Sequence, residues 1–144
     1  MTTTVTNRGK KMIVNGDIMS ATFYMGLLGG GSVPVGAHDE TLNTVADLLA
    51  IATETSGGGY TRQVITGITV TENDVDNRAD VDSDDVEFGN LTSDAGIGRG
   101  MFIYKSGGSD AIRELFMVAD VAATPFNGNP VKMLVHDIFR LVQN

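Results

Sequence analysis

The chain has no cysteine, which excludes disulfides, thiolate metal sites and a cysteine nucleophile. It has no tryptophan, and only 6% of its residues are aromatic, so rings for stacking on sugars or bases are few. Histidine is scarce as well, with only His38 and His136. General bases that work near neutral pH are therefore in short supply. No apolar run approaches the roughly 18–20 residues of a membrane-spanning helix; the best stretch, Val45 to Ala52, is short and broken by Asp47. The bases Arg8, Lys10 and Lys11 precede only Met12-Ile13-Val14, whereas an export signal needs an apolar stretch of roughly 7–15 residues. Neither a membrane partner nor a secretion signal is expected, and the protein is expected to be made in the cytoplasm of its host cell.

Positive charge is also in deficit. The net charge is −8, which opposes binding to nucleic acid, because phosphates require a basic face. The excess is local. Glu72, Asp74, Asp76, Asp80, Asp82, Asp84, Asp85 and Glu87 stand against the single base Arg78, and the rest of the chain holds ten acids against nine bases. Arg8, Lys10 and Lys11 form a small basic cluster near the N-terminus. That cluster and the acids Asp80, Asp82 and Asp84 are the candidate partner contacts, since complementary fields steer association.

With 144 residues the chain reads as one domain that can bury about two-thirds of its unfolded surface. Residues 1–6 are Thr-rich and aperiodic, an expected extended arm; 7–144 form the domain. Asn7 is placed to cap a short helix running to about Val14, with Asn15-Gly16 as its stop. Ala21, Phe23, Met25 and Leu27 alternate with Thr22, Tyr24 and Gly26, the period of a half-buried strand. Leu42, Val45, Ala46, Leu49 and Ala50 keep helical spacing. Beyond Gly59 the pattern is β: Tyr60 to Ile65, Ile68 to Thr71, Ala79 to Val81, Val86 to Phe88, Met101 to Tyr104, Glu114 to Val121 and Val131 to Val142. Pro125 to Pro130 carries turn chemistry. The expected fold is mainly β, an antiparallel sandwich or barrel-like domain with one or two short helices.

Chemical motifs are weak. Asp80-Val81-Asp82-Ser83-Asp84-Asp85 opens like a calcium loop, but its sixth position is Asp85 rather than Gly and its twelfth is Leu91 rather than Glu. A solvated strand face with Val81 and Val86 pointing inward is the preferred reading, and an acidic edge deters aggregation. No metal or cofactor is expected. No G-x-S-x-G or H-E-x-x-H pattern occurs, and both histidines are expected to be structural. Gly96-Ile97-Gly98-Arg99-Gly100 lacks the Lys-Ser/Thr of a phosphate loop and reads as a turn before a core strand. The methionines Met12, Met19, Met25, Met101, Met117 and Met133 lie near apolar segments, with core filling as the default.

The order Gly59-Tyr60-Thr61-Arg62-Gln63-Val64, Thr66-Gly67-Ile68-Thr69-Val70-Thr71, Asp80 to Phe88, Met101-Phe102-Ile103-Tyr104-Lys105 and Leu115 to Asp120 resembles a group of small virion structural proteins of tailed bacteriophages. That group includes capsid decoration, or cement, proteins. The resemblance covers about residues 59–120, with Thr22 to Leu28 similar in placement. It implies a non-enzymatic β-rich subunit that self-associates, often as a trimer. Such a subunit sits on the outer capsid surface of the virion, across joints between major capsid protein subunits. A tail or head-fibre component is the near rival. A carbohydrate-binding module using Tyr24, Tyr60 and Tyr104 is the rival from another class.

Overall fold

The computed structural model describes residues 2–135 and 139–142. It is mainly β, 40% strand and 18% helix, and sandwich-like. Strand β1 (Thr3–Val5) leads into helix α1 (Asn7–Val14) and a single turn, α2 (Asp17–Ser20). Next come β2 (Phe23–Leu28), α3 (Val45–Leu49), β3 (Gln63–Val64), β4 (Thr69–Asn73), β5 (Arg78–Asp82) and β6 (Val86–Asn90). The long strands β7 (Ile97–Lys105) and β8 (Leu115–Pro125) follow, then β9 (Pro130–Met133) and β10 (Phe139–Val142). Every pairing among the described residues is antiparallel. The principal sheet runs β1-β8-β7-β2-β3, a second runs β10-β5-β4, and β6 pairs with β9.

The expected alternation in β2 is present, but the strand is buried on both faces rather than one. Phe23, Met25 and Leu27 enter a core with Met12 and Ile18 of the two N-terminal helices and Val81, Val86 and Phe88 of the other sheets. Leu28, with Phe102, Tyr104 and Val118 of the neighbouring strands, packs into a second core under Val45 and Leu48 of α3. The principal sheet is thus the middle layer, and each face loses its apolar surface to a different cover. Among the described residues three short α-helices are present where one or two were expected.

The N-terminal segment is extended as expected, but it is stitched to its own chain. Thr3 to Val5 pair with Ala119 to Met117, and the Asp120 amide donates to the Thr2 carbonyl. The helix cap falls on Thr6, one residue before the expected Asn7. The buried Thr6 hydroxyl accepts from the Gly9 amide at 2.9 Å and donates to the Leu115 carbonyl at 2.6 Å. One side chain therefore both caps α1 and anchors it to β8. Asn15 ends the helix, and Gly16 follows at φ 83°, where a left-handed residue is needed.

The Tyr60–Ile65 segment yields only the two-residue strand β3, because Tyr60 and Arg62 are drawn into side-chain bonds instead. The expected terminal strand Val131–Val142 is two strands, β9 and β10, while His136 and Asp137 lie outside the described residues. Met12, Met25 and Met117 fill the core, whereas Met19 is exposed.

Candidate functional site

The densest polar constellation centres on Arg62, to which the sequence reading assigned no role. Its Nε and Nη2 donate to the two carboxylate oxygens of Glu54 at 2.7 and 2.8 Å. Nη1 and Nη2 donate to those of Asp110 at 2.6 and 2.9 Å. Arg113 adds a second donor to Asp110 at 2.8 Å. The Arg62 guanidinium also lies over the Phe102 and Tyr104 rings, 5.4 and 5.1 Å from their centres, and Arg113 lies 5.5 Å from that of Tyr104. Two bidentate pairs use the planar fork fully. They join the segment after α3, the entry to β3 and the β7–β8 loop. That loop in turn supplies the Asp110 and Arg113 carbonyls to the free amides of Ala46 and Val45 at the start of α3.

Charge states follow from this geometry. Hydrogen bonds donated to Glu54 and Asp110 raise the pKa of Arg62 further. Burial, reinforced by the Glu54 charge, raises that of the Tyr60 phenol. The Tyr60 phenol donates to Glu54 at 2.8 Å and accepts the Leu27 amide at 2.9 Å. The Arg62 hydrogen bonds lower Asp110 to about 2, from an ordinary 3.8. Its pKa is depressed by folding, so its stabilising contribution is complete above the unfolded value and is lost as pH falls through the folded one. We therefore expect the thermal-midpoint gap between wild type and Asp110→Asn to close between about pH 4 and pH 2, as measured by melting at stepped pH. A gap that is constant across that window would contradict the assignment.

Around this network lies an open cleft of about 510 Å³ lined by Tyr24, Ser56, Tyr60, Thr61, Tyr104 and the charged groups. The three tyrosines nominated for carbohydrate stacking do meet here. Their rings are mostly committed, however. Tyr104 stacks with Tyr24 (5.7 Å between centres) and Phe102 (5.9 Å), and Tyr60 stacks with Phe88 (6.1 Å).

The sequence-nominated charges are dispersed. Arg8 donates to Glu114 at 3.1 Å and to Asn43 at 3.2 Å, and Lys10 pairs with Glu40. Both bases thus neutralise acids of their own chain, and Lys11 stands exposed in the last turn of α1. Asp80 pairs with Arg78 at 2.9 Å. Asp82 accepts the Ser83 amide at 2.8 Å, and Asp84 accepts the Thr66 hydroxyl at 3.0 Å. Val81 and Val86 are buried between these acids as expected, but the Asp80 side chain is only 18% exposed, so the acid face there is not fully solvated. Among the described residues no three His, Asp or Glu side chains converge as a metal site would require.

His38 is half-buried, with Nε2 2.8 Å from Asp120 Oδ1 and Nδ1 3.3 Å from the Thr4 hydroxyl. Hydroxyl, imidazole and carboxylate thus stand in the order of a nucleophilic triad. Neither Thr4 nor His38 lines the clefts around Arg62, Arg99 or Phe126. The bonds fasten β1 to β8 and to the segment after β2.

One element makes little use of its own domain. The β4–β5 hairpin carries half of the net negative charge, and Thr69 to Glu72 of β4 are exposed on both faces. Val70 is 48% exposed, and Val75 at the tip is 94% exposed. Among the described residues β4 pairs only with β5, leaving its other edge open.

No family model, no curated protein and no solved structure matches this chain.

Proposed function

We propose that this protein is a non-enzymatic assembly subunit, a capsid decoration protein that binds the outer surface of a tailed-phage capsid and braces joints between major capsid protein subunits. The observation that carries the reading is the β4–β5 hairpin. A strand exposed on both faces with an open edge stabilises its own domain little, yet it offers backbone groups and side chains for pairing with another chain. The resemblance of residues 59–120 to phage virion proteins supplies the setting. On a lattice, weak contacts repeated at every position sum to firm attachment.

The test adds purified protein to capsids that lack it. Cryo-electron microscopy should then show new density on the outer shell at subunit joints, and the capsids should resist heat better. Absence of binding would reject the proposal, and attachment confined to the tail would favour the tail reading. The carbohydrate reading draws on the convergence of Tyr24, Tyr60 and Tyr104, but rings that stack on one another leave little face for a sugar. A glycan array with reproducible hits, lost on Tyr24→Ala, would reverse this order.

A further inference from the structure

Arg99 stands apart from the other arginines whose side chains are described. Arg8, Arg62, Arg78 and Arg113 each pair with an acid. The Arg99 side chain makes no hydrogen bond or ion pair with the described residues, and its Nε is buried without an acceptor. A guanidinium nitrogen withdrawn from water and left unbonded costs free energy, so its setting is informative. Gly98 pairs with Thr124, but Gly100 pairs with Asp120. Arg99 therefore sits alone opposite Val121, Ala122 and Ala123, at a bulge of the β7–β8 ladder. Bulges of this kind re-aim a side chain. Gly100 helps shape the place, because a Cβ there would come within 2.7 Å of Val33 Cγ2. The result is a notch of about 200 Å³ lined by Ser32, Val33, Arg99, Asp120 and Val121. The Asp120 carboxylate also lines it, with Oδ1 held by His38 at 2.8 Å.

The notch offers an arginine without an ion-pair partner between two valines, its one acid, Asp120, being engaged by His38. The hairpin tip offers the complement. Val75 is 94% exposed, and Asp74 makes no hydrogen bond or ion pair with the described residues. Asp76, by contrast, is held by Asn73 and Arg78. The geometry points to a subunit contact in which the Asp74-Val75 tip of a second copy enters the Arg99 notch. The Asp74 carboxylate accepts from the Arg99 guanidinium, and Val75 packs against Val33 and Val121. The contact joins two different surfaces, so it is head-to-tail and closes into a ring when the rotation permits. It rests on the assembly reading above and assigns only the hairpin tip to self-association, leaving the open edge of β4 for the capsid.

The test is made in solution without capsids, so its failure is separable from failure of capsid binding. Light scattering after size exclusion should give an oligomer for the wild type. Asp74→Arg, on an exposed tip, and Arg99→Glu should each weaken association about thirtyfold or more. The two together should restore it. Because the chain lacks cysteine, a crosslink gives a second measurement that spares the rest of the notch. Asp74→Cys with Arg99→Cys in one chain should oxidise to covalent species larger than a dimer, whereas either alone can link two chains at most. A monomeric wild type would overturn the contact. So would an oligomer indifferent to Asp74→Arg, or a double-cysteine chain that forms no species beyond dimers.

Discussion

Replacing Arg62 with alanine should cost about 3 kcal/mol of stability and lower the thermal midpoint by roughly 10 °C. The size follows from what is left behind rather than from what is removed. Glu54 and Asp110 each receive two hydrogen bonds from the Arg62 guanidinium. Without the arginine, two partly buried carboxylates face each other's neighbourhood with only Tyr60 and Arg113 as donors. Exposed ion pairs contribute at most about 1 kcal/mol, but the Arg62 side chain is only 17% exposed, which places this network nearer the buried limit. Arg62→Lys should recover less than half of the loss, because an ammonium keeps the charge but cannot make two forked pairs. A midpoint change under about 3 °C for Arg62→Ala, read by calorimetry, would mean that the three joined segments are held by packing alone.

Gly9→Ala should destabilise the protein by about 2 kcal/mol, against the usual direction for a glycine inside a helix. Alanine at an unconstrained helical site is favoured by about 1 kcal/mol. Here a Cβ would lie 2.2 Å from the Phe116 carbonyl oxygen and 2.9 Å from Val5. Neither neighbour moves freely, since one is backbone at the start of β8, where it also accepts the Thr6 amide, and the other belongs to β1. Helix α1 would have to lift, disturbing Met12 in the core and the Thr6 cap beneath it. Overpacking of this kind costs about 1–3 kcal/mol or more, which exceeds the propensity gain. Denaturant unfolding settles the sign: a stabilised Gly9→Ala variant would show that α1 does not rest on β8.

How far each feature was legible depends on how far its cause lies along the chain. Val81 and Val86 could be placed inward because alternation is a property of neighbours along a strand. The same alternation located β2 but misjudged its exposure. The cover over its second face comes from α3 and Phe102, neither of which is adjacent in sequence. Arg8 and Lys10 looked free as a cluster because Glu114 and Glu40, which neutralise them, are remote. Nothing in the spacing of Glu54, Arg62 and Asp110 announces a network, since no helical or strand period relates them.

Although Gly96 to Gly100, read as a turn, largely enters β7, the sequence alone determined the class of the fold, the places of most of its strands and the confinement of negative charge to one segment. All of these are local consequences of side-chain periodicity and backbone preference. Tertiary structure decided which charges are satisfied and which are not. It gathered Arg62 and its acids from three segments and docked the N-terminal strand on its own sheet. It left Arg99 beside a bulge and the acidic hairpin open to solvent. Electrostatic and packing partners are set by distance in space, which chain order does not encode until the sheets have closed.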